Sequence, residues 1–327
     1  MRNVNPSEFM IHEDQRDESD PRLKNIIEHY REGRKYDVGI VGAPFDYGVK
    51  LSNGRTGAKF GPDAFRIALK RYGTAYDIGS GADISRLRVC DFGNIETVEE
   101  DSTETHKRVS DVVAAITRMG AVPVVIGGGH DISFADVRGL CMATKGAVGG
   151  LNIDAHFDVR RVIDGSASSG TPFRRVLEEL SGRVRGSNFI EIGAHDNLNS
   201  KVYRDYLVAK KARIITLDEM RESGMKATMR SALRKAGSGA GSIFLSIDVD
   251  AMPQSAAPGC SAPSARGVEP DEILQACFAA GADGKVKLMD IMELNPNYDL
   301  DMRTAILAAT MFVSFLDGFS RREKVKL

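Results

Sequence analysis

The chain of 327 residues carries 44 Lys and Arg against 45 Asp and Glu, with 42% hydrophobic residues, four Cys and no Trp. A net charge of −1 leaves no basic field for nucleic acid or an anionic membrane, and the composition is that of a folded soluble chain. At this length folding buries roughly three quarters of the unfolded surface, so the core needs no disulfide support. In chain order, the first 36 residues are charged and of mixed sign, an arm against a single body over 37–327. Asp20-Pro21 is placed to start a helix presenting Leu23, Ile26, Ile27 and Tyr30 on one face. From Tyr36 onward short apolar runs end in Gly, Asp or His, over 37–42, 86–91, 121–126, 148–153, 188–193, 213–216, 242–247 and 285–291. Such continuous β-branched runs suit strands buried on both faces. Helical stretches are predicted between them, over 63–72, 103–119, 172–180 and 225–236. The alternation predicts an α/β fold of three layers, α/β/α, on a mostly parallel sheet of about eight strands. In such sheets ligands bind beyond the carboxyl ends of the strands.

Cys90, Cys141, Cys260 and Cys277 show no C-x-x-C spacing, and no window holds the ~18 apolar residues of a membrane span. The N-terminus lacks the apolar core of a signal peptide, so a reduced cytoplasmic protein is expected. The terminal Val325-Lys326-Leu327 lacks the Ser of a peroxisomal address.

Four run ends carry unusual chemistry. Gly127-Gly128-Gly129-His130-Asp131 delivers one His from a glycine turn. Asp154, His156 and Asp158 stand at i, i+2 and i+4, which in an extended chain places them on one face. Asp248 and Asp250 repeat that spacing, and like charges so close call for a proton or a cation between them. Glu293, within Asp290-Ile291-Met292-Glu293-Leu294-Asn295-Pro296, either orients a substrate cation or caps a turn. Singly, His130 and Glu293 read as ordinary turn and cap residues and the Asp248 pair reads either way, whereas Asp154, His156 and Asp158 at the end of an apolar run already call for a cation. Together His130, Asp154, His156, Asp158, Asp248 and Asp250 supply two imidazoles and four carboxylates without a cysteine, a donor set that favours Mn, with Zn, Co, Ni or Fe compatible. This excess of acid suits two divalent ions, and a pair ~3.5–4 Å apart turns a bridging water into hydroxide near neutrality.

At these motifs, and at Gly57 and Gly61-Pro62, the chain resembles the ureohydrolases: arginase, agmatinase, guanidinobutyrase and formiminoglutamase. The resemblance covers about residues 37–318 and implies the arginase/deacetylase fold with two Mn2+ ions per chain. It implies one ion on His130, Asp154, Asp158 and Asp248, and the other on Asp154, His156, Asp248 and Asp250. It also implies that Glu293 faces the amidine or guanidine of the substrate, and that the chain forms homo-oligomers, trimers or hexamers. A zinc deacetylase needs only one Asp-His-Asp set, and His130 with Asp250 completes a second.

Within the family, arginases and agmatinases carry a proton-shuttling His where this chain has Ser169. The strings Ser168-Ser169-Gly170-Thr171-Pro172-Phe173-Arg174, Asp158-Val159-Arg160 and Ala257-Pro258-Gly259-Cys260-Ser261-Ala262-Pro263-Ser264 look like formiminoglutamases instead. His195, just past the 188–193 run, either replaces the shuttle or is an ordinary loop residue. The activity implied is hydrolysis of N-formimino-L-glutamate to glutamate and formamide, a step of histidine degradation, with Asp158 passing the proton and Glu293 holding the amidine. That dianion calls for cations at the mouth, for which Arg160 and Arg161, then Arg55, are the candidates. A guanidino-acid hydrolase that releases urea is the alternative. A non-catalytic relative is a third reading, and the intact ligand set stands against it.

Overall fold

Eight parallel strands follow the apolar runs: β1 Val38–Ala43, β2 Val89–Ile95, β3 Val122–Gly127, β4 Ala147–Ile153, β5 Val184–Ala194, β6 Arg213–Thr216, β7 Ala240–Asp248 and β8 Val286–Met292. The computed structural model describes residues 1–14 and 19–322, so the terminal Val325, Lys326 and Leu327 lie outside the described residues. The strand order is β2-β1-β3-β8-β7-β4-β5-β6. This order makes β3, β8, β7 and β4 consecutive neighbours, although more than a hundred residues of chain separate the first two. Every strand end singled out above therefore opens on one side of the sheet.

Alternate strand residues enter two cores. Leu245 and Ile247 of β7 and Ile291 of β8 pack with Phe65 of α1 Gly61–Lys70 on one face. Phe244 and Leu288 point to the other, against Ile116 of α2 Ser102–Arg118, Phe134 of α3 Ile132–Ala143 and Phe173 of α4 Pro172–Glu179. α2 shows why these segments are helical. Asp101 caps its N-terminus by accepting the Glu104 N–H at 2.9 Å, and Val109, Val112, Val113 and Ile116 form one buried stripe. α5 Met225–Ala236, α6 Pro270–Ala282 and α7 Arg303–Ser320 complete the first face. No helix among the described residues is long and apolar enough to cross a membrane.

The first 36 residues depart from the expected helix. Helix spans only Leu23–Ile26, after which Ile27–His29 joins the edge of β2 in parallel register and Val4–Asn5 pairs with β2 antiparallel. With the arm's two strands the sheet has ten. The unpaired backbone of an edge strand is a template for further pairing, and β-branched Ile27 gains more from that ladder than from another helical turn. Leu23 and Ile27 are buried, as a common apolar face requires.

Candidate metal centre

The glycine turn after β3 is dictated by a close approach. A Cβ on Gly128 would lie 1.8 Å from the carbonyl oxygen of Phe45, so only glycine passes there. Gly129 N–H then donates to that carbonyl at 2.9 Å, and His130 is delivered fully buried beside the end of β7.

The two Asp pairs are not held by strand alternation. β4 ends at Ile153 and β7 at Asp248, and beyond each the chain turns. Asp154 Oδ1 accepts the His156 N–H at 2.7 Å, and Asp248 Oδ1 accepts the Asp250 N–H at 2.8 Å. Each is an Asx turn, in which a carboxylate ties down the backbone two residues on. Asp158 and Glu293 sit in the left-handed region, with φ of +47° and +65°, a conformation non-glycine residues adopt at a cost.

These turns gather the predicted ligands. His130 Nδ1 lies 3.0 Å from Asp158 Oδ2, 3.1 Å from Asp248 Oδ2 and 3.4 Å from Asp154 Oδ2. His156 Nδ1 lies 3.2 Å from Asp250 Oδ2 and 3.5 Å from Asp154 Oδ1. Two clusters of donor atoms result, His130-Asp154-Asp158-Asp248 and Asp154-His156-Asp250. Asp154 belongs to both, one oxygen toward each imidazole. Asp248, expected in both sets, falls in the first cluster and spends its other oxygen on Asp250 N–H.

The electrostatics are those of a cation site. His130 Nδ1 and Asp250 Oδ1 are buried with no hydrogen-bond partner among the described residues. Burial opposes the charge on His130, yet Asp154, Asp158 and Asp248 hold its pKa well above the ordinary imidazole value. Asp250 does the same for His156, pushed up to about 12. Burial and then Asp250 raise Asp248 well above the usual carboxylate range, and burial lifts Asp250 to about 7. Burial also opposes ionisation of Asp154, but its contacts with His130 and His156 hold its pKa low. The four carboxylates match the charge of two divalent cations, and the oxygen and imidazole donors suit Mn2+.

A cavity of about 260 Å³ opens over His156, Asp158, Asp248, Asp250 and Glu293. Glu293 Oε1 accepts the His130 N–H at 3.0 Å while buried Oε2 has no partner, and burial followed by Asp248 raises its pKa well above the carboxylate range. Arg160 and Ser169 line the cavity as well. Arg161 is exposed on the loop beyond. Arg55 stacks its guanidinium 4.1 Å from the Tyr298 ring centroid and donates to the Cys260 carbonyl at 2.5 Å. His195 lies in a neighbouring cavity with Nδ1 3.2 Å from Ser264 Oγ, and burial followed by His156 lowers its pKa.

Sequence reasoning passed over Ser52 and Asn53, and gave no site role to Gly54, Ser261 and Ala262 within their family-like strings; all five wall the cavity. It also passed over Glu191, buried inside β5, which accepts Asn152 Nδ2 at 2.8 Å behind Asp154. An acid within a predicted buried strand was the available signal.

A profile of the Arginase family matches residues 36–317. The chain belongs to this family. A formimidoylglutamase of Halalkalibacterium halodurans is 31% identical over 290 residues, spanning 88% of this chain and 89% of that protein. One from Rhodococcus opacus is 36% identical over 274 residues, 83% and 82% of the two chains. The crystal structure of Trypanosoma cruzi formiminoglutamase with Mn2+ superposes with a TM-score of 0.87 at 36% identity, covering 93% of this arginase-family chain and all of the other.

Proposed function

We propose that this chain is a manganese-dependent hydrolase of linear amidines that converts N-formimino-L-glutamate and water to glutamate and formamide. The observation that carries the reading is a pair of His/Asp clusters sharing Asp154, beneath a cavity walled by Arg160 and Ser169. Relatives named formimidoylglutamase across most of the chain support it.

His130, Asp154, Asp158 and Asp248 would hold one ion, and Asp154, His156 and Asp250, with Asp248, the other. A bound pair of divalent ions lowers the pKa of water so that hydroxide forms near neutrality. Asp158 takes the proton released as the oxygen adds to the formimino carbon, and returns it to the departing amine. The carbon–nitrogen bond to glutamate then breaks, leaving formamide. Glu293, fixed by the His130 N–H, presents its free oxygen to the protonated amidine and holds the carbon over the clusters. Arg160 pairs with a substrate carboxylate, and Ser169 contributes a hydroxyl to the same wall. Arg161 adds positive potential outside the mouth, Arg55 steadies the Cys260–Ser261 backbone, and His195 serves its loop.

The protein works in the cytoplasm as a homo-oligomer, a trimer or hexamer. Its four cysteines are free and buried, which suits a reducing compartment. The test is turnover of Mn-loaded protein on formiminoglutamate, arginine, agmatine and 4-guanidinobutyrate. Formamide release from the first is expected to be fastest, and faster urea release from any guanidine overturns the reading.

A further inference from the structure

Behind the cluster, on the side away from the cavity, His130 is backed by a buried polar chain. Its Nε2 lies 3.0 Å from Ser246 Oγ, and Ser246 Oγ in turn lies 2.6 Å from Asp290 Oδ1. Ser133 Oγ approaches Ser246 Oγ at 3.1 Å, and the Ile247 N–H reaches Asp290 Oδ1 at 3.3 Å. Asp136, on α3, sets its carboxyl against that of Asp290. All of these side chains are buried. The chain therefore ties α3, β7 and β8 to one metal-facing imidazole.

Donor and acceptor counting fixes the direction of each bond. Nδ1 of His130 faces three carboxylates and must be free of its proton to hold a cation, so Nε2 carries the hydrogen and donates it to Ser246. Ser246 has one proton, which the 2.6 Å contact assigns to Asp290. Ser133 then donates its own. Asp290 Oδ2 and both oxygens of Asp136 make no well-formed hydrogen bond to any other group among the described residues, and two facing buried carboxyls are best satisfied by a proton between them. Asp136 is the member that carries it, because Asp290 already accepts from Ser246.

We infer that Asp136, Asp290 and Ser246 form a positioning relay that fixes the tautomer and plane of His130 and thereby sets the affinity of one of the two metal ions. Phe173, whose ring stands edge-on to His130 with centroids 5.2 Å apart, blocks the alternative ring plane. Outer partners of ligating imidazoles typically contribute roughly 10–100-fold to metal affinity. Among the described residues no such chain backs His156, so the relay acts on one ion alone.

The inference rests on the two-ion reading above, and a stepwise calorimetric titration of Mn2+ into the metal-free full chain separates them. Wild type is expected to take up two ions; uptake of none overturns the two-ion reading itself and the relay with it. In Ser246→Ala one binding step is expected to weaken roughly 10–100-fold while the other is unchanged. Two unchanged steps, or equal weakening of both, overturn the relay. Asp136→Asn keeps a donor for Asp290 and is expected to bind both ions as wild type does, whereas weakening equal to that of Ser246→Ala overturns the proton assigned to Asp136. Should Ser246→Ala fail to fold, Asp290→Asn reads the same step. Its amide oxygen is a weaker acceptor, so a smaller loss in that step alone is expected, and no loss there overturns the relay.

Discussion

Ser52 Oγ and Ser169 Oγ lie 2.9 Å apart on the cavity wall, joining the loop after β1 to the loop after β4. Either hydroxyl can donate, so the pair keeps one proton free for a molecule in the cavity while remaining satisfied itself. Ser52→Ala and Ser169→Ala are each expected to lower kcat/KM by about 1 kcal/mol, roughly fivefold, mostly through KM. Steady-state kinetics on Mn-loaded protein check this, and an unchanged KM in both variants contradicts a substrate-facing role.

Gly170 makes room for Arg160. A Cβ there would lie 2.7 Å from Arg160 Cδ, and Arg160 N–H donates to the Gly170 carbonyl at 2.8 Å. Arg160→Ala should cost about 1.5–3 kcal/mol in kcat/KM for a dicarboxylate substrate, the range for hydrogen bonds to charged groups. Gly170→Ala, which leaves the guanidinium intact but displaces its stem, should raise KM in the same direction by less. Equal KM for both variants and wild type places the carboxylate elsewhere.

Chelation is expected to abolish turnover, and Mn2+ to restore it. Asp248→Asn removes a carboxylate 3.1 Å from His130 Nδ1, and is expected to reduce activity by more than about 100-fold with a native circular-dichroism spectrum. Elemental analysis should show metal below two ions per chain. Full activity in this variant contradicts the ligand assignment.

Asp317 on α7 reports on pH through stability. Burial, then the nearby Asp77, raises its pKa to about 6. The native state thus keeps a proton that the unfolded chain has already lost, and stability falls as pH rises through the window from about 4 to 6. The carboxyl is only half buried, so the full shift is discounted for solvent screening. Asp317→Asn should gain about 1–2 kcal/mol at pH 7.5 and lose this dependence. Denaturant titrations at pH 5 and 7.5 measure it; a variant less stable at pH 7.5 overturns the assignment.

Much of this was legible because β3, β4, β7 and β8 end in short contiguous motifs. His130, Asp154, His156, Asp158, Asp248 and Asp250 each stand within five residues of a strand's last residue, so finding the strand finds the ligand. The local geometry was less legible. Strand alternation was the expected reason for the Asp spacing, but Asx turns hold both pairs, and side-chain capping of backbone does not show in a hydrophobic pattern. Ser52 could not be found by pattern at all, because only the folded loops bring it to the cavity. Ile27 reads as the last apolar residue of a helix until the open edge of β2 is known.

The left-handed backbone at Asp158 and Glu293 bears on how this chain can be altered. Both positions combine a conformation that glycine adopts freely with a carboxylate whose ionisation burial opposes. Glycine at either site would relieve both penalties while removing a group that the proposed chemistry uses. A library enriched for heat resistance alone would drift toward such inactive survivors, so any engineering of thermotolerance here has to select for turnover in the same step.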